Sequence, residues 1–345
     1  HTYQATSMPT TKKATSNRFS RFKDPEFKKG IAPLATLQAL IDDRGDEDMA
    51  GYFIKADNLA AAKWTATEDD FDKGAVHWNH TFKFSTGARE KGHFFVKPRM
   101  QIIMTTPTLV HEQATKTVVG CLTDESMMKD DQGNWVPTKS EFELDRQMVE
   151  EGKRSQRRYG TRQLYCCFLL TKDGKWAHQV PLMLTLSGIN NVKLSKALTE
   201  HQKNLDRAMS IINDEDSEMR YDARTRATYV FCPTLKPELQ DNKFKTTNVA
   251  IEDVVEVDLT DLASVEAGLE ALVVSEEQMD KTFDLMTNEM LTGYVNRFLK
   301  QEEDKMLALG KPGYGKAEHV IIPVDTESVK QLASAAVDTG EDKSL

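Results

Sequence analysis

Apolar positions along this chain fall into short runs with the spacing of strands, and the longest unbroken run lies near its middle. Gln163–Thr171 is rich in β-formers, Asp173-Gly174 follows, and a second apolar run covers Trp176–Leu186. Asp-Gly between two such runs predicts a hairpin, because a tight turn needs residues that tolerate positive φ. Leu164–Leu170 is apolar throughout, without alternation, so this strand is expected to be covered on both faces. Val76–Phe84 alternates in part, through Trp78, His80, Phe82 and Phe84, and predicts a strand exposed on one side. Leu34–Ile41 reads as a short apolar element, and further strands are expected at Gly51–Ile54, His93–Val96, Met100–Thr105, Val118–Leu122 and Tyr229–Cys232, with Pro98 breaking the chain between His93–Val96 and Met100–Thr105.

Helical spacing is rarer. Asp57 or Asn58 is positioned to cap a short helix, Leu59–Trp64. Ser140–Lys153 has weak helical spacing, and Val192–Asn213 carries a stripe of Leu194, Leu198, Leu205, Ala208, Met209 and Ile212. The longest helix is expected over Glu276–Leu309, stopped by Gly310 and Pro312. Residues 235–248 read as loop, and 1–18 as a disordered basic arm whose opening His ahead of Met8 fits a tag remnant. The fold class that follows is α+β. A mostly antiparallel, partly closed barrel over residues 20–248, with an inserted helix at 192–213, precedes an acidic linker (249–275) and a C-terminal helix with a flexible tail (276–345).

Composition changes this picture in one respect. The formal net charge of −9 hides a division: residues 250–304 hold fifteen Asp/Glu against three Lys/Arg, residues 305–345 six against five, and residues 1–249 the remaining 33 against 37. A mildly basic body with an acidic C-terminal part suggests a polyanionic partner for the first and a regulatory or partner-recruiting role for the second. No apolar run approaches the roughly 20 residues that span a bilayer, and no secretory leader is visible, so a cytoplasmic protein without membrane contact is expected. Cys121, Cys166, Cys167 and Cys232 lack metal-ligand spacing and read as free, buried thiols.

Catalytic motifs are weak. Gly310–Ala317 has the G-x-x-x-x-G-K spacing of a phosphate-binding loop, but Ala317 stands where a hydroxyl should hold magnesium, and a helix precedes it where a strand is needed. His77 and His80, three apart on a strand, should face opposite sides and not share a metal. No nucleophile elbow is present. Neither an enzyme, a metal nor a cofactor is expected.

Cations and aromatics are the stronger signal. Lys153, Arg154, Arg157, Arg158 and Arg162 precede the central hairpin with no acid among them and Tyr159, expected exposed, in their midst. Lys97 and Arg99 follow Phe94 and Phe95, while Lys175 and Trp176 sit at the hairpin itself. Phosphates need charge and every base offers a stackable face, so these ten residues are the candidate contacts for single-stranded nucleic acid. Met279, Phe283, Met286, Met290 and Phe298 form the apolar stripe of the C-terminal helix, a candidate surface for a second copy or another protein.

Short motifs add a resemblance. Leu37–Leu40, Gly51–Ile54, Ala62-Lys63-Trp64, Lys97–Met100, Thr106-Pro107 and His178–Leu182 together resemble an uncharacterised domain family of cyanobacteria and their phages or plasmids, over roughly residues 22–248. That family is similar in outline to phage single-stranded-DNA-binding proteins, which are OB-like barrels with acidic ends. The family itself has no activity to carry over; with the cations and aromatics above, the expected function is non-enzymatic nucleic-acid binding in replication, recombination or defence of a mobile element. Its rival is a structural subunit of a phage-like particle or filament. The last residues, Gly340–Leu345, are only weakly acidic and lack a terminal aromatic, which departs from that pattern.

Overall fold

A computed structural model describes residues 35–42, 49–84, 86–216, 219–240, 244–287, 293, 295 and 296. Its centre is one strand, β10 (Tyr159–Leu169), within a ten-stranded sheet. One edge of β10 pairs antiparallel with β11 (Leu182–Ser187). Its other edge is shared: Tyr159–Arg162 pair with β6 (Leu109–Glu112), and Tyr165–Leu169 with β5 (Met100–Thr105). The sheet extends from β11 through β1 (Thr36–Asp42), β2 (Met49–Lys55) and β4 (Arg89–Phe95) to β3 (Val76–Lys83), and from β5 to β12 (Val230–Phe231). β7 (Val118–Cys121) pairs with β6. Every pairing is antiparallel except β1 with β11. The α+β, mostly antiparallel expectation stands, but the sheet does not close into a barrel.

The unbroken apolar run of β10 is explained by cover on both sides. Tyr165, Cys167 and Leu169 pack with Leu182, Leu184 and Leu186 and with Leu194 and Leu198 of α3 (Gly188–Ile212). Leu164, Cys166 and Phe168 point the other way, toward Ile103, Leu109, Met183 and Val295. The two adjacent thiols therefore serve different clusters, and burial raises both, Cys167 to about 12. All four cysteines are free and buried. The turn is as expected: Gly174 has φ 76° and Leu170 bridges Trp176 across it.

Other boundaries differ from expectation. The first helix, α1 (Ala56–Ala61), starts earlier, and Asn58 does not cap it. Its amide instead donates to the carbonyl and hydroxyl of Thr36, tying α1 to β1. Residues 235–240 and 244–248 are not loop. They belong to a two-stranded hairpin, β13 (Pro233–Gln240) and β14 (Phe244–Val254). The acidic stretch read as a linker holds the end of β14 and α5 (Leu262–Leu272), whose Val265 and Leu272 are buried beside Leu205, Ala208 and Tyr229. Its acids face water while Val257, Val265, Leu272 and Val274 complete a core, which is how an acidic segment can fold. A further short helix, α4 (Ala223–Arg226), caps its start with Asp222. α6 (Glu276–Thr287) begins where the longest helix was expected. Among the described residues no helix is long and apolar enough to cross a membrane.

Candidate nucleic-acid interface

The cationic lead-in to β10 is largely an internal clamp. Asp145 of α2 (Thr138–Glu150) is buried and accepts from the Arg154 guanidinium and from the backbone N–H of Arg158 (3.0 Å) and Tyr159 (3.2 Å). Arg158 donates to Glu112 at 3.1 Å, pairs with Asp131 and lies 5.1 Å over the Tyr159 ring. Arg162 is buried and donates to the Lys116 carbonyl at 3.3 Å. Lys153 meets Glu151 at 2.6 Å, both exposed, a pairing worth little. Arg157 is exposed and forms no ion pair among the described residues. Tyr159 is 1% exposed, against expectation. As the first residue of β10 it packs with Val110 and Met128, and its cationic neighbours reach past it to acids.

What covers Tyr159 carries the aromatic that the sequence reading missed. β8 (Met127–Lys129) and β9 (Trp135–Pro137) form a separate hairpin in which Lys129 pairs with Trp135. Met128 and Val136 pack inward on Val110 and Tyr159. Met127, Lys129, Trp135 and Pro137 are exposed, Trp135 by 57%, with the Lys129 ammonium 5.1 Å from its ring centroid. The Asp130–Asn134 turn is held by Asp130, which accepts from the N–H of Gln132 (2.9 Å) and Asn134 (2.8 Å). Through Asp131 and Arg158 this hairpin adjoins the loop bearing Lys153 and Arg157. Three-residue strands are too short to show a period in the sequence.

The remaining candidates lie at the other end of β10, about 33 Å away at roughly 3.3 Å per residue. Lys97 and Arg99 line a narrow recess together with Lys172, Asp72 and the rings of Phe71 and Phe95. Lys172 was not foreseen, although it flanks the Asp173-Gly174 turn opposite Lys175. Arg99 donates from Nη2 to the Ala271 carbonyl at 2.9 Å, and Lys172 to the Asp69 carbonyl at 2.7 Å. Lys175 is exposed. Trp176 is half-buried, stacked on Phe168 at 4.0 Å, and its indole N–H donates to Gln101 at 2.7 Å. It serves the packing of the hairpin rather than an open surface.

The helix stripe divides similarly. Met279 packs against the cluster containing Tyr229 and Val265, the Arg224 guanidinium lies 4.2 Å over Phe283, and Met286 is half-buried. Met290 and Phe298 lie outside the described residues with described side chains, as do residues 310–317 with their phosphate-loop spacing. His77 and His80 do not obey simple alternation. A bulge between them, with Asn79 at φ 53°, leaves their rings 5.9 Å apart, and His80 meets Asp42 at 2.5 Å. Among the described residues no three His, Cys, Asp or Glu are grouped to hold a metal.

The chain belongs to a family described as a Domain of unknown function (DUF5895), which matches residues 33–144 and 147–257. Neither a curated protein nor a solved structure matches it.

Proposed function

We propose that this protein binds nucleic acid without catalysing a reaction, single strands preferred. The observation that carries the reading is Trp135, over half exposed beneath the Lys129 ammonium and beside the loop of Lys153 and Arg157. An exposed ring gives any base a stacking partner, and nearby cations hold the backbone. The interface is accordingly smaller than the sequence implies: Arg154, Arg158, Tyr159 and Arg162 build the platform, while Lys129, Trp135, Lys153 and Arg157 meet the strand. The setting that goes with it is replication, recombination or defence of a mobile element.

The test is fluorescence anisotropy with a labelled single strand of about 30 nucleotides, long enough to cover one binding site of this type. Trp135→Ala removes a stack worth about 1–3 kcal/mol, hence a loss of roughly 5- to 150-fold in affinity. Binding that is unchanged in this variant removes the hairpin from the interface. Concentration-dependent particles formed by the wild-type chain without any oligonucleotide would favour the assembly role instead.

A further inference from the structure

The recess at the far end of β10 is a different kind of feature from the Trp135 surface. Its walls come from separate segments, each pinned by backbone hydrogen bonds. The N–H groups of Val96 and Lys97 donate to the Ala75 carbonyl at 3.0 and 3.1 Å. Leu170 N–H donates to the Arg99 carbonyl at 2.8 Å, and Lys172 N–H to the Asp70 carbonyl at 2.9 Å. The cations are thus brought together by the fold and not by their own attraction, which is preorganisation for something of opposite charge.

Charge and shape narrow what that is. Lys97, Arg99 and Lys172 stand against Asp72 alone among the lining groups, leaving two positive charges in excess. Asp70, close by, is already engaged: the Thr67 N–H and hydroxyl hold its carboxyl below the usual range, with Lys172 and Lys175 adding to the effect. Arg99 Nε is buried without a hydrogen-bond partner, a donor whose desolvation is not offset within the chain. The rings of Phe71 and Phe95 supply an apolar wall that strengthens any charge interaction beside them. The recess is narrow, too small to enclose a whole small molecule, so only one compact group could sit at its mouth. Three cationic side chains carried by two segments at one recess suit a tetrahedral dianion better than a planar carboxylate, which one arginine fork would satisfy.

We propose that the recess formed by Lys97, Arg99 and Lys172 binds a phosphate group, Arg99 Nε and the two ammonium groups donating to its oxygens. This assignment does not depend on the Trp135 reading. The phosphate can belong to the end of a nucleic-acid strand or to a free phosphate-bearing small molecule, and the chemistry of the recess is the same for both.

Two measurements on the full chain decide it. The first is thermal unfolding and ³¹P line broadening with inorganic phosphate against chloride at equal ionic strength. Phosphate is expected to raise the unfolding midpoint saturably, and Lys97→Ala with Lys172→Ala to weaken its binding by about tenfold or more, the effect of losing a charge-assisted contact. The paired Lys97→Arg and Lys172→Arg chain should recover binding, which separates loss of the site from loss of the fold. Equal effects of phosphate and chloride, or an unchanged response in the alanine pair, would overturn the assignment. The second compares 5′-phosphorylated with 5′-hydroxyl oligonucleotides. A preference for the phosphorylated end that vanishes in the alanine pair identifies the strand terminus as the source. Equal affinities with inorganic phosphate still bound identify a free phosphate compound. Loss of all oligonucleotide binding, with phosphate retained, would sink the nucleic-acid reading and leave the recess standing.

Discussion

Asp145 shows how much depends on one side chain. It lies 2% exposed where α2 meets the start of β10 and accepts from one guanidinium and two backbone N–H groups. Removing one partner of a buried charge pair leaves the other uncompensated, so Asp145→Ala should cost about 3–5 kcal/mol in urea denaturation. Arg157→Ala, on the same loop but exposed, should stay within about 0.5 kcal/mol. A similar cost for both would mean that the loop is not organised around Asp145. His178 is the second such case. Its Nε2 accepts from Leu169 N–H at 2.9 Å and its Nδ1–H donates to the Val180 carbonyl at 2.8 Å, so only the neutral ring satisfies both. Burial lowers it from 6.5 to about 4, and burial likewise lowers His93, His111 and His201 to about 4. Between these values the unfolded chain binds more protons than the folded one, so stability rises with pH. The contribution is complete above about 6.5 and is lost as pH falls toward 4, at up to about 1.4 kcal/mol per pH unit for each such group. Urea midpoints taken from pH 7 to pH 4.5 should fall accordingly, and a flat profile would contradict this burial.

At the scale of elements, legibility followed the length of the hydrophobic pattern. β10, β11 and α3 were readable because their apolar runs are long and packed on by other elements. β8, β9 and α5 were not. The first two are three residues each, and α5 hides two core residues among acids whose number suggested a solvated linker. The buried state of Tyr159 was unreadable for a related reason. Charge along the sequence says nothing about acids such as Glu112, Asp131 and Asp145 that the fold brings to it. This bears on the acidic C-terminal part. Composition makes it a detachable regulator, whereas Val257, Val265, Leu272 and Val274 are buried with Leu205 and Tyr229. A chain ending at residue 248 is therefore expected to lose cooperative unfolding and precipitate, as deletion of several core side chains costs about 2–5 kcal/mol each. A soluble, cooperatively folding truncate would restore the regulatory reading.

At the scale of the molecule, the two charged regions lie at opposite ends of β10, and their contributions to strand binding can be separated by salt. Each phosphate neutralised on a single strand adds about 0.7 to the slope of log affinity against log salt. Lys153 and Arg157 are exposed and Lys153 is held only by an exposed acid, so both are available to phosphates without loss of the fold. Arg154, Arg158 and Arg162 are committed to Asp145, Glu112, Asp131 and the Lys116 carbonyl. Replacing Lys153 and Arg157 together by Ala should then flatten the slope by about 1.4 while leaving urea stability within about 0.5 kcal/mol. Replacing Arg154 and Arg158 should do the opposite, lowering stability by several kcal/mol through the uncompensated buried charge of Asp145 and Glu112 that they leave behind. The two outcomes divide the cationic run between interface and scaffold. If instead the slope is unchanged in the first pair, the charges next to Trp135 do not meet the backbone, and strand binding by this end of the sheet is wrong.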